Sequence, residues 1–191
     1  MPQPNLKNRI LDSADQVLLE SSYNGASVQD FTDAAKVPKG SFYNHFASKE
    51  AMVTEVVRRY GAAMLVDDQP RRQSSAVGQL REHLRRQFKR RGEERKVLGC
   101  MIGNLGAEVS VTSEPIRLEV VACLNNWATG TATMIAEGQR EGDIPKTVDP
   151  VDMANFIVDA FEGAAMRAKA TQDGAPCNRF LTMMFSQLLS D

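Results

Sequence analysis

Apolar residues recur every three or four positions along most of the chain, and no stretch alternates apolar and polar residues as a half-buried strand would. Near the start, one such stripe predicts an amphipathic helix over residues 5–22; its members are Leu6, Ile10, Ala14, Val17 and Leu18. By the same criterion, helices are predicted over residues 28–35, 39–44, 48–64, 76–92, 100–109, 114–138, 149–170 and 175–189. The sequence therefore predicts an all-α fold of about nine helices, three short ones followed by six mostly longer ones.

Residues that start or stop helices support these boundaries. Gly25 marks a turn, and Ser27 stands where a helix N-cap belongs, with Asp30 three residues later. Pro38 fits the first turn of the next helix, where its missing N–H has no intrahelical partner to lose. The polar stretch Val66–Ser75, which contains Pro70, predicts a loop between two lobes.

The first three helices have the lengths of a helix-turn-helix. Lys36 and Val37 form the tight turn, and Val37 is the apolar residue expected to hold the two short helices together. In the second short helix, Phe42 and Phe46 are one turn apart and can dock into a small core. The other residues from 39 to 45 are small, polar or positively charged, so they are predicted to face away from that core.

The run Val37–Phe46, followed by Ser48-Lys49-Glu50, resembles the signature of the tetracycline-repressor (TetR) family. The resemblance extends back through Ile10–Ala14 and Ser27–Phe31, so it covers roughly residues 5–52. It implies a helix-turn-helix DNA-binding domain over residues 1–50 and a ligand-binding and dimerisation domain over residues 51–191. One departure is Lys36, because the family often has glycine in this turn.

The resemblance also implies which side chains face DNA: Ser27, Gln29, Lys39, Gly40, Ser41, Tyr43, Asn44, His45 and Lys49. Tyr43, His45 and Lys49 match family positions that touch phosphates, which orient a protein on DNA without reading its sequence. Ser27, at a helix start, can offer its hydroxyl and backbone N–H groups to a phosphate. The candidates for base edges in the major groove are Lys39, Ser41 and Asn44, with lysine directed to guanine and asparagine to adenine.

The formal net charge of -1 gives no general attraction to nucleic acid, so the DNA-binding prediction depends on this local set of residues. With 42% hydrophobic residues, the chain can fill a core without disulfides or metal. Its three cysteines lack metal-ligand spacing, and no apolar run is typical of a signal peptide or a membrane span. These features predict a cytoplasmic protein.

The last two helices carry the features of a dimer interface. Residues 149–170 include small residues that allow close helix approach, flanked by large apolar ones: Ala154, Ala160, Gly163, Ala164 and Ala168, with Phe156, Ile157 and Phe161. Two such helices from each subunit would form a four-helix interface, and a dimer suits the two half-sites of an operator. The alternative is an ordinary helical hairpin within one chain.

The segment Leu98–Glu108 resembles a TetR-like subgroup that responds to electrophiles, oxidants or short unsaturated acids. Cys100 lies near a predicted helix N-terminus and close in sequence to Arg95 and Lys96, and both features favour the reactive thiolate. Cys100 is therefore a candidate sensor, although most free cysteines are simply small buried apolar residues. The alternative is a reversibly bound apolar or acidic ligand, contacted by Met101, Asn104, Glu108, Trp127, Met134, Phe161 and Arg167.

Other function classes find little support. The sequence contains no glycine-rich phosphate loop, nucleophile elbow or H-E-x-x-H motif, so we expect no enzyme and no cofactor. His45 and His83 are too few and too far apart for an imidazole metal site. A helical interaction module without DNA binding would leave Lys39, Tyr43 and His45 without a role. The sequence thus favours a homodimeric repressor that a small molecule releases from operator DNA.

Overall fold

The computed structural model describes residues 6–66, 75–89, 97–147 and 149–188. Within these ranges the chain forms nine helices and no strand, which confirms the predicted all-α fold. The helices are α1 (Leu6–Gly25), α2 (Val28–Ala34), α3 (Lys39–Asn44), α4 (Lys49–Val66), α5 (Ala76–Lys89), α6 (Met101–Val109), α7 (Glu114–Glu141), α8 (Pro150–Thr171) and α9 (Ala175–Met183). Helix α3 is a 3-10 helix, and one π-helical turn, Met184–Leu188, continues α9.

The chain divides into two compact units. The N-terminal unit consists of Met1–Ala62 and Met101–Cys123, and the C-terminal unit consists of Ala63–Cys100 and Leu124–Asp191. The first unit therefore contains α6 as well as the predicted helix-turn-helix, although α6 is distant in sequence. Most of the loop predicted at Val66–Ser75 lies outside the described residues.

Large apolar side chains fill the core of the N-terminal unit. Five of them are completely or almost completely buried: Ile10, Leu18, Phe31, Phe42 and Met52. They come from four successive helices, so α1 to α4 share one core. Helix α6 adds buried residues of its own and packs on α1.

The turn between α2 and α3 is a Schellman motif. The Val37 N–H donates to the Thr32 carbonyl at 2.9 Å, and the Lys36 N–H donates to the Asp33 carbonyl at 2.9 Å. This motif requires a left-handed residue after the helix, and Lys36 has φ of 53°. The conformation explains why a glycine is favoured here, because a side chain makes left-handed backbone unfavourable.

One local feature differs from the prediction and one agrees with it. Pro38 does not lie in the first turn of α3; its ψ of 136° is extended, so it precedes the helix as the N-cap residue. The assigned range of α1 extends to Gly25, but its helical backbone is interrupted at Ser22, where the sequence predicted the helix to end; Ser22 has φ of 61° and ψ of -180°. This backbone region is nearly exclusive to glycine, so Ser22 stores local strain.

In the C-terminal unit, α5 and α7 run antiparallel. The Ala76 N–H at the start of α5 donates to the Glu141 carboxylate at the end of α7 at 2.8 Å. Further along α5, His83 meets Trp127, which lies well before Glu141 in α7. Helices α8 and α9 pack against each other. None of the helices in the described part of the chain is long and apolar enough to cross a membrane.

We predict that Lys36→Gly raises the free energy of unfolding by about 0.5–1 kcal/mol, because relief of the left-handed strain exceeds the entropy that glycine adds to the unfolded chain. Urea titration measures this change. The control is Ala34→Gly in the last turn of α2, which we expect to lower stability by about 0.5–1 kcal/mol. Equal losses in both variants would show that the turn does not favour glycine.

Candidate DNA interface and effector site

Helix α3 presents a polar face that two buried rings hold in position. Phe42 is 0% exposed and Phe46 is 4% exposed, and their ring centroids lie 5.3 Å apart. Because these rings point into the core, the remaining side chains of α3 project from the other side. Tyr43 is 61% exposed, and its ring meets the Phe42 ring edge-on at 5.2 Å. Of the predicted DNA contacts near α3, Lys39, Gly40 and Asn44 are also exposed, and Ser41 and His45 are half-buried.

Ser27 forms the predicted N-cap of α2, as part of a reciprocal capping box. Its hydroxyl and its backbone N–H both donate to the Asp30 carboxylate at 2.7 Å, and the Asp30 N–H donates back to the Ser27 hydroxyl oxygen at 3.3 Å. These hydrogen bonds from Ser27 lower the pKa of Asp30 below its ordinary value. The hydroxyl predicted to meet a phosphate is therefore already bound to Asp30.

Gln29 and Lys49, the two other predicted DNA contacts, also have partners in the N-terminal unit. The Gln29 amide donates to the Asp33 carboxylate at 2.6 Å. The Lys49 ammonium donates to the backbone carbonyls of Tyr23 and Ala26 at 2.9 and 3.0 Å, and it lies 4.2 Å from the centroid of the Tyr23 ring. Lys49 thus fastens the chain between α1 and α2, a role that was not predicted from the sequence.

Glu108 of α6 binds the same short segment from the other side. Its two carboxylate oxygens accept the backbone N–H groups of Tyr23 and Asn24, each at 2.8 Å. These N–H groups directly follow the strained Ser22. Burial, followed by the nearby carboxylates of Glu50 and Glu108, raises the pKa of the Tyr23 phenol. Glu108 was predicted to contact an effector; the structure instead places it against the chain that leads to Ser27.

Cys100 directly precedes the first residue of α6. It is 2% exposed, and the residue before it, Gly99, has a left-handed φ of 76°. Arg95 and Lys96, which were expected to favour the thiolate, lie outside the described residues. The other two cysteines, Cys123 and Cys177, are buried as well. Burial means that a reagent must enter the interior to reach the Cys100 sulfur.

The remaining predicted effector contacts are divided between the two units. Trp127 and Phe161 are buried in the C-terminal unit and Met134 is half-buried there, whereas Met101 is buried and Asn104 half-buried in the N-terminal unit. Arg167 is exposed on α8, whereas the sequence predicted it to line an effector site. Arg167 lies on the face of α8 opposite the buried side chains of Phe161 and Ala165, so its guanidinium is not buried.

An aromatic and polar cluster surrounds Trp127. The Trp127 indole N–H donates to Nε2 of His83 at 2.7 Å, and the Trp127 ring meets the Phe161 ring edge-on at 4.8 Å. The Phe161 ring stacks on Phe88 at 4.1 Å. Three polar residues in this unit are at most 1% exposed: His83, Gln87 and Thr131.

Sequence reasoning missed these three polar residues. His83 and Gln87 lie four positions apart on α5, and Trp127 and Thr131 lie four positions apart on α7. The available signal was that His83 and Gln87 share the helix stripe of Leu80 and Leu84 rather than that of the neighbouring arginines. Within the described residues, no group of three histidine, cysteine or acidic side chains could hold a metal ion.

Helices α8 and α9, which were predicted to form a dimer interface, carry an exposed apolar face, but its residues differ from the predicted ones. Ala154, Ile157, Phe161 and Ala168 are buried within the subunit and cannot meet a partner. The exposed face carries large apolar side chains instead: Phe156 is 51% exposed, Met166 is 68% and Met183 on α9 is 55%. A side chain added at Gly163 on this face would meet open space.

Comparison with protein families identifies both parts of the chain. A profile described as "Bacterial regulatory proteins, tetR family" matches residues 10–56. A second, described as "Tetracyclin repressor-like, C-terminal domain", matches residues 76–184. The first match contains α2 and α3 with all their predicted DNA contacts, and the second contains α5 to α9.

Curated relatives and solved structures match nearly the whole chain. It is 34% identical to the HTH-type transcriptional repressor DhaR of Mycobacterium sp. (strain GP1), over 99% of this chain and 95% of the relative. It is 32% identical to the transcriptional regulator AcuR of Cereibacter sphaeroides, over 85% and 76% of the two chains. The crystal structure of the reduced form of Escherichia coli NemR shares the fold, with a TM-score of 0.86, 21% identity and 97% coverage of each chain.

We predict that Glu108→Ala lowers the free energy of unfolding by about 2–3 kcal/mol, because two backbone N–H groups beside the strained Ser22 lose a charged acceptor. Chemical denaturation measures the loss. Glu114→Ala is the matched control, since Glu114 is exposed and makes only a surface ion pair with Arg117 at 3.5 Å; its change stays within about 0.5 kcal/mol. A similar loss in the free energy of unfolding for both variants would contradict the role assigned to Glu108.

Proposed function

Because the chain belongs to the tetracycline-repressor family of transcriptional regulators, we propose that it represses transcription by binding operator DNA through the exposed face of α3. The observation that carries this proposal is the split of α3 into a buried and an exposed side. Phe42 and Phe46 fix the helix, and Lys39, Tyr43 and Asn44 are left free to approach a groove. Lysine and asparagine are suited to base edges, and the tyrosine hydroxyl to a phosphate.

The repressor acts as a homodimer. Phe156, Met166 and Met183 form an exposed apolar face on α8 and α9, and burial of such a face against a second copy is favourable. Gly163 on the same face lets a partner helix approach closely. A two-fold dimer presents two copies of α3, which matches the symmetry of an operator with two half-sites.

A small-molecule effector releases the repressor, and Cys100 is the first candidate for its site. The thiol is buried and directly precedes α6, whose other end holds the segment before Ser27 through Glu108. An adduct at a buried thiol needs volume that a close-packed interior does not have, so the start of α6 must shift. That shift reaches the Glu108 carboxylate, and through it the strained Ser22.

The covalent step is an addition. The Cys100 sulfur forms a bond to the β-carbon of an unsaturated carbonyl compound, and the thiol proton ends on the α-carbon, so nothing leaves. A reversible ligand is the second candidate, and the buried polar residues His83, Gln87 and Thr131 favour it.

We predict that Asn44→Ala weakens binding to the DNA upstream of the protein's own gene by about 1–3 kcal/mol, because it removes a base contact. The variant therefore discriminates less between this site and unrelated DNA. Tyr43→Phe weakens binding to specific and unrelated duplexes alike, because it removes a phosphate contact. Fluorescence anisotropy across a range of salt concentrations measures both effects.

The control for these variants is Asn126→Ala, an exposed asparagine on α7. It leaves DNA affinity unchanged. DNA binding by the wild type that does not weaken as salt rises, or equal affinity in all three variants, would contradict a DNA interface on α3.

We predict that N-ethylmaleimide releases the wild-type protein from DNA and that Cys100→Ser stays bound, because the variant lacks the nucleophile. Cys123→Ser and Cys177→Ser are matched controls that release like the wild type. Gel shifts, with mass spectrometry to locate the adduct, give the result. Release of Cys100→Ser to the same extent would exclude Cys100 as the sensor, and a wild type that is neither modified nor released would favour the reversible ligand.

A further inference from the structure

We infer that the C-terminal unit recognises an uncharged, elongated effector with a hydroxyl or amide group at each end, bound by Gln87 and Thr131 on either side of the His83–Trp127 hydrogen bond. The inference rests on the proposed function, since it names the chemistry of the molecule that releases the repressor. It concerns the reversible site and does not require a reaction at Cys100.

The first observation is a pair of buried oxygen atoms that lack hydrogen bonds. The side-chain oxygen of Gln87 and the hydroxyl of Thr131 have no hydrogen-bond partner among the described residues, and the two residues are 1% and 0% exposed. Buried polar atoms are nearly always paired, because an unpaired one destabilises the fold that contains it. A ligand that forms the missing hydrogen bonds explains why these two polar residues lie in a mainly apolar interior.

The second observation gives the length of the ligand. Since α5 and α7 are antiparallel, Gln87 lies beyond His83 in one direction and Thr131 lies beyond Trp127 in the opposite direction. Each is four residues from the hydrogen bond. At 1.5 Å per residue, the two groups are separated by about 12 Å along the helices. A single small polar group cannot reach both, whereas an elongated molecule can.

The third observation gives the character of the ligand between its ends. The rings of Trp127, Phe161 and Phe88 lie in contact, with centroid separations of 4.8 Å and 4.1 Å, and they make the middle of the site apolar. An alkyl chain or a flat ring suits such surroundings.

Gln87 and Thr131, which meet the two ends of the ligand, carry no charge. Nε2 of His83 already accepts the indole N–H and is not available to the ligand. A carboxylate or ammonium at either end of the ligand would lose its hydration without gaining an opposite charge, so charged ends are disfavoured.

The sequence contains its own probe of this site, because Trp127 is the only tryptophan. We therefore expect α,ω-alkanediols to change the fluorescence of the purified protein in a saturable manner. Affinity peaks for the diol whose terminal oxygens are about 12 Å apart. Simple alcohols and α,ω-dicarboxylates of the same length bind at least tenfold more weakly. No saturable change with any diol, or equal affinity for diols and simple alcohols, overturns the inference.

Two isosteric variants separate recognition from folding. Thr131→Val and Gln87→Met each weaken binding of the best diol about tenfold, because each removes one hydrogen bond of about 1.4 kcal/mol. Neither lowers Tm, since the Gln87 side-chain oxygen and the Thr131 hydroxyl have no hydrogen-bond partner among the described residues. Thr133→Val, an exposed position on α7, is the control and leaves affinity unchanged. A lower Tm for Thr131→Val together with unchanged diol affinity would overturn the inference, because it shows a structural hydroxyl.

The titration requires no DNA, so the two proposals can fail separately. Diol binding in a protein that does not bind its upstream DNA supports the site and contradicts the repressor. DNA binding without any response of Trp127 to diols supports the repressor and overturns this effector class.

Discussion

Helix α3 has only two turns, too few backbone hydrogen bonds to be stable alone, so its position depends on the burial of Phe42 and Phe46. Each ring contributes about 2–3 kcal/mol of apolar burial, more than the side-chain polar contacts around it supply. The turn before α3 must place both rings correctly, and it does so through the Schellman hydrogen bonds at Lys36 and Val37. The orientation of the residues predicted to face DNA thus depends on apolar packing on the opposite side of the helix.

The N-terminal unit contains strained backbone where α1, α4 and α6 meet. Ser22 is strained, and the two N–H groups that follow it depend on a single carboxylate from α6. Lys49 holds the neighbouring carbonyls, so the segment before Ser27 is fixed from two sides by opposite charges. When one of these charged side chains moves, the backbone groups that it binds have few alternative partners. A movement of α6 is therefore transmitted as a loss of specific hydrogen bonds rather than as a gradual bend.

Local patterns in the sequence predicted most of the helices, because helix caps and apolar stripes act over a few residues. Ser27 with Asp30, the pair Phe42 and Phe46, and the unusual Lys36 were all recognisable in this way. The use of Glu108 was not, because its partners are backbone N–H groups of residues 23 and 24, and their position depends on the tertiary fold. His83 and Gln87 lie among arginines in the sequence; they share the stripe of Leu80 and Leu84, and the packing of α5 shows that this stripe is buried together with its polar members.

The predicted dimer surface shows the same division between local and tertiary information. Small and large apolar residues along α8 predicted a dimer interface or, alternatively, a hairpin within one chain. Ala154 and Phe161 belong to the face inside the subunit, whereas Phe156 and Met166 belong to the open one. A stripe of apolar residues does not indicate which surface packs against it, because another helix of the same chain and a second copy of the protein offer similar surfaces.

The backbone before Cys100 has a consequence for how relatives of this protein can diverge. The side-chain amide of Gln172 donates to the Val97 carbonyl at 3.1 Å and its oxygen accepts the Val97 N–H at 3.2 Å, so this end of the loop is tied to the end of α8. Gly99 then supplies the left-handed residue that the path to Cys100 needs. Position 99 is therefore closed to most substitutions, because a side chain makes this left-handed backbone unfavourable. Divergence in this segment must keep the glycine if the chain is to reach the buried thiol by the same route.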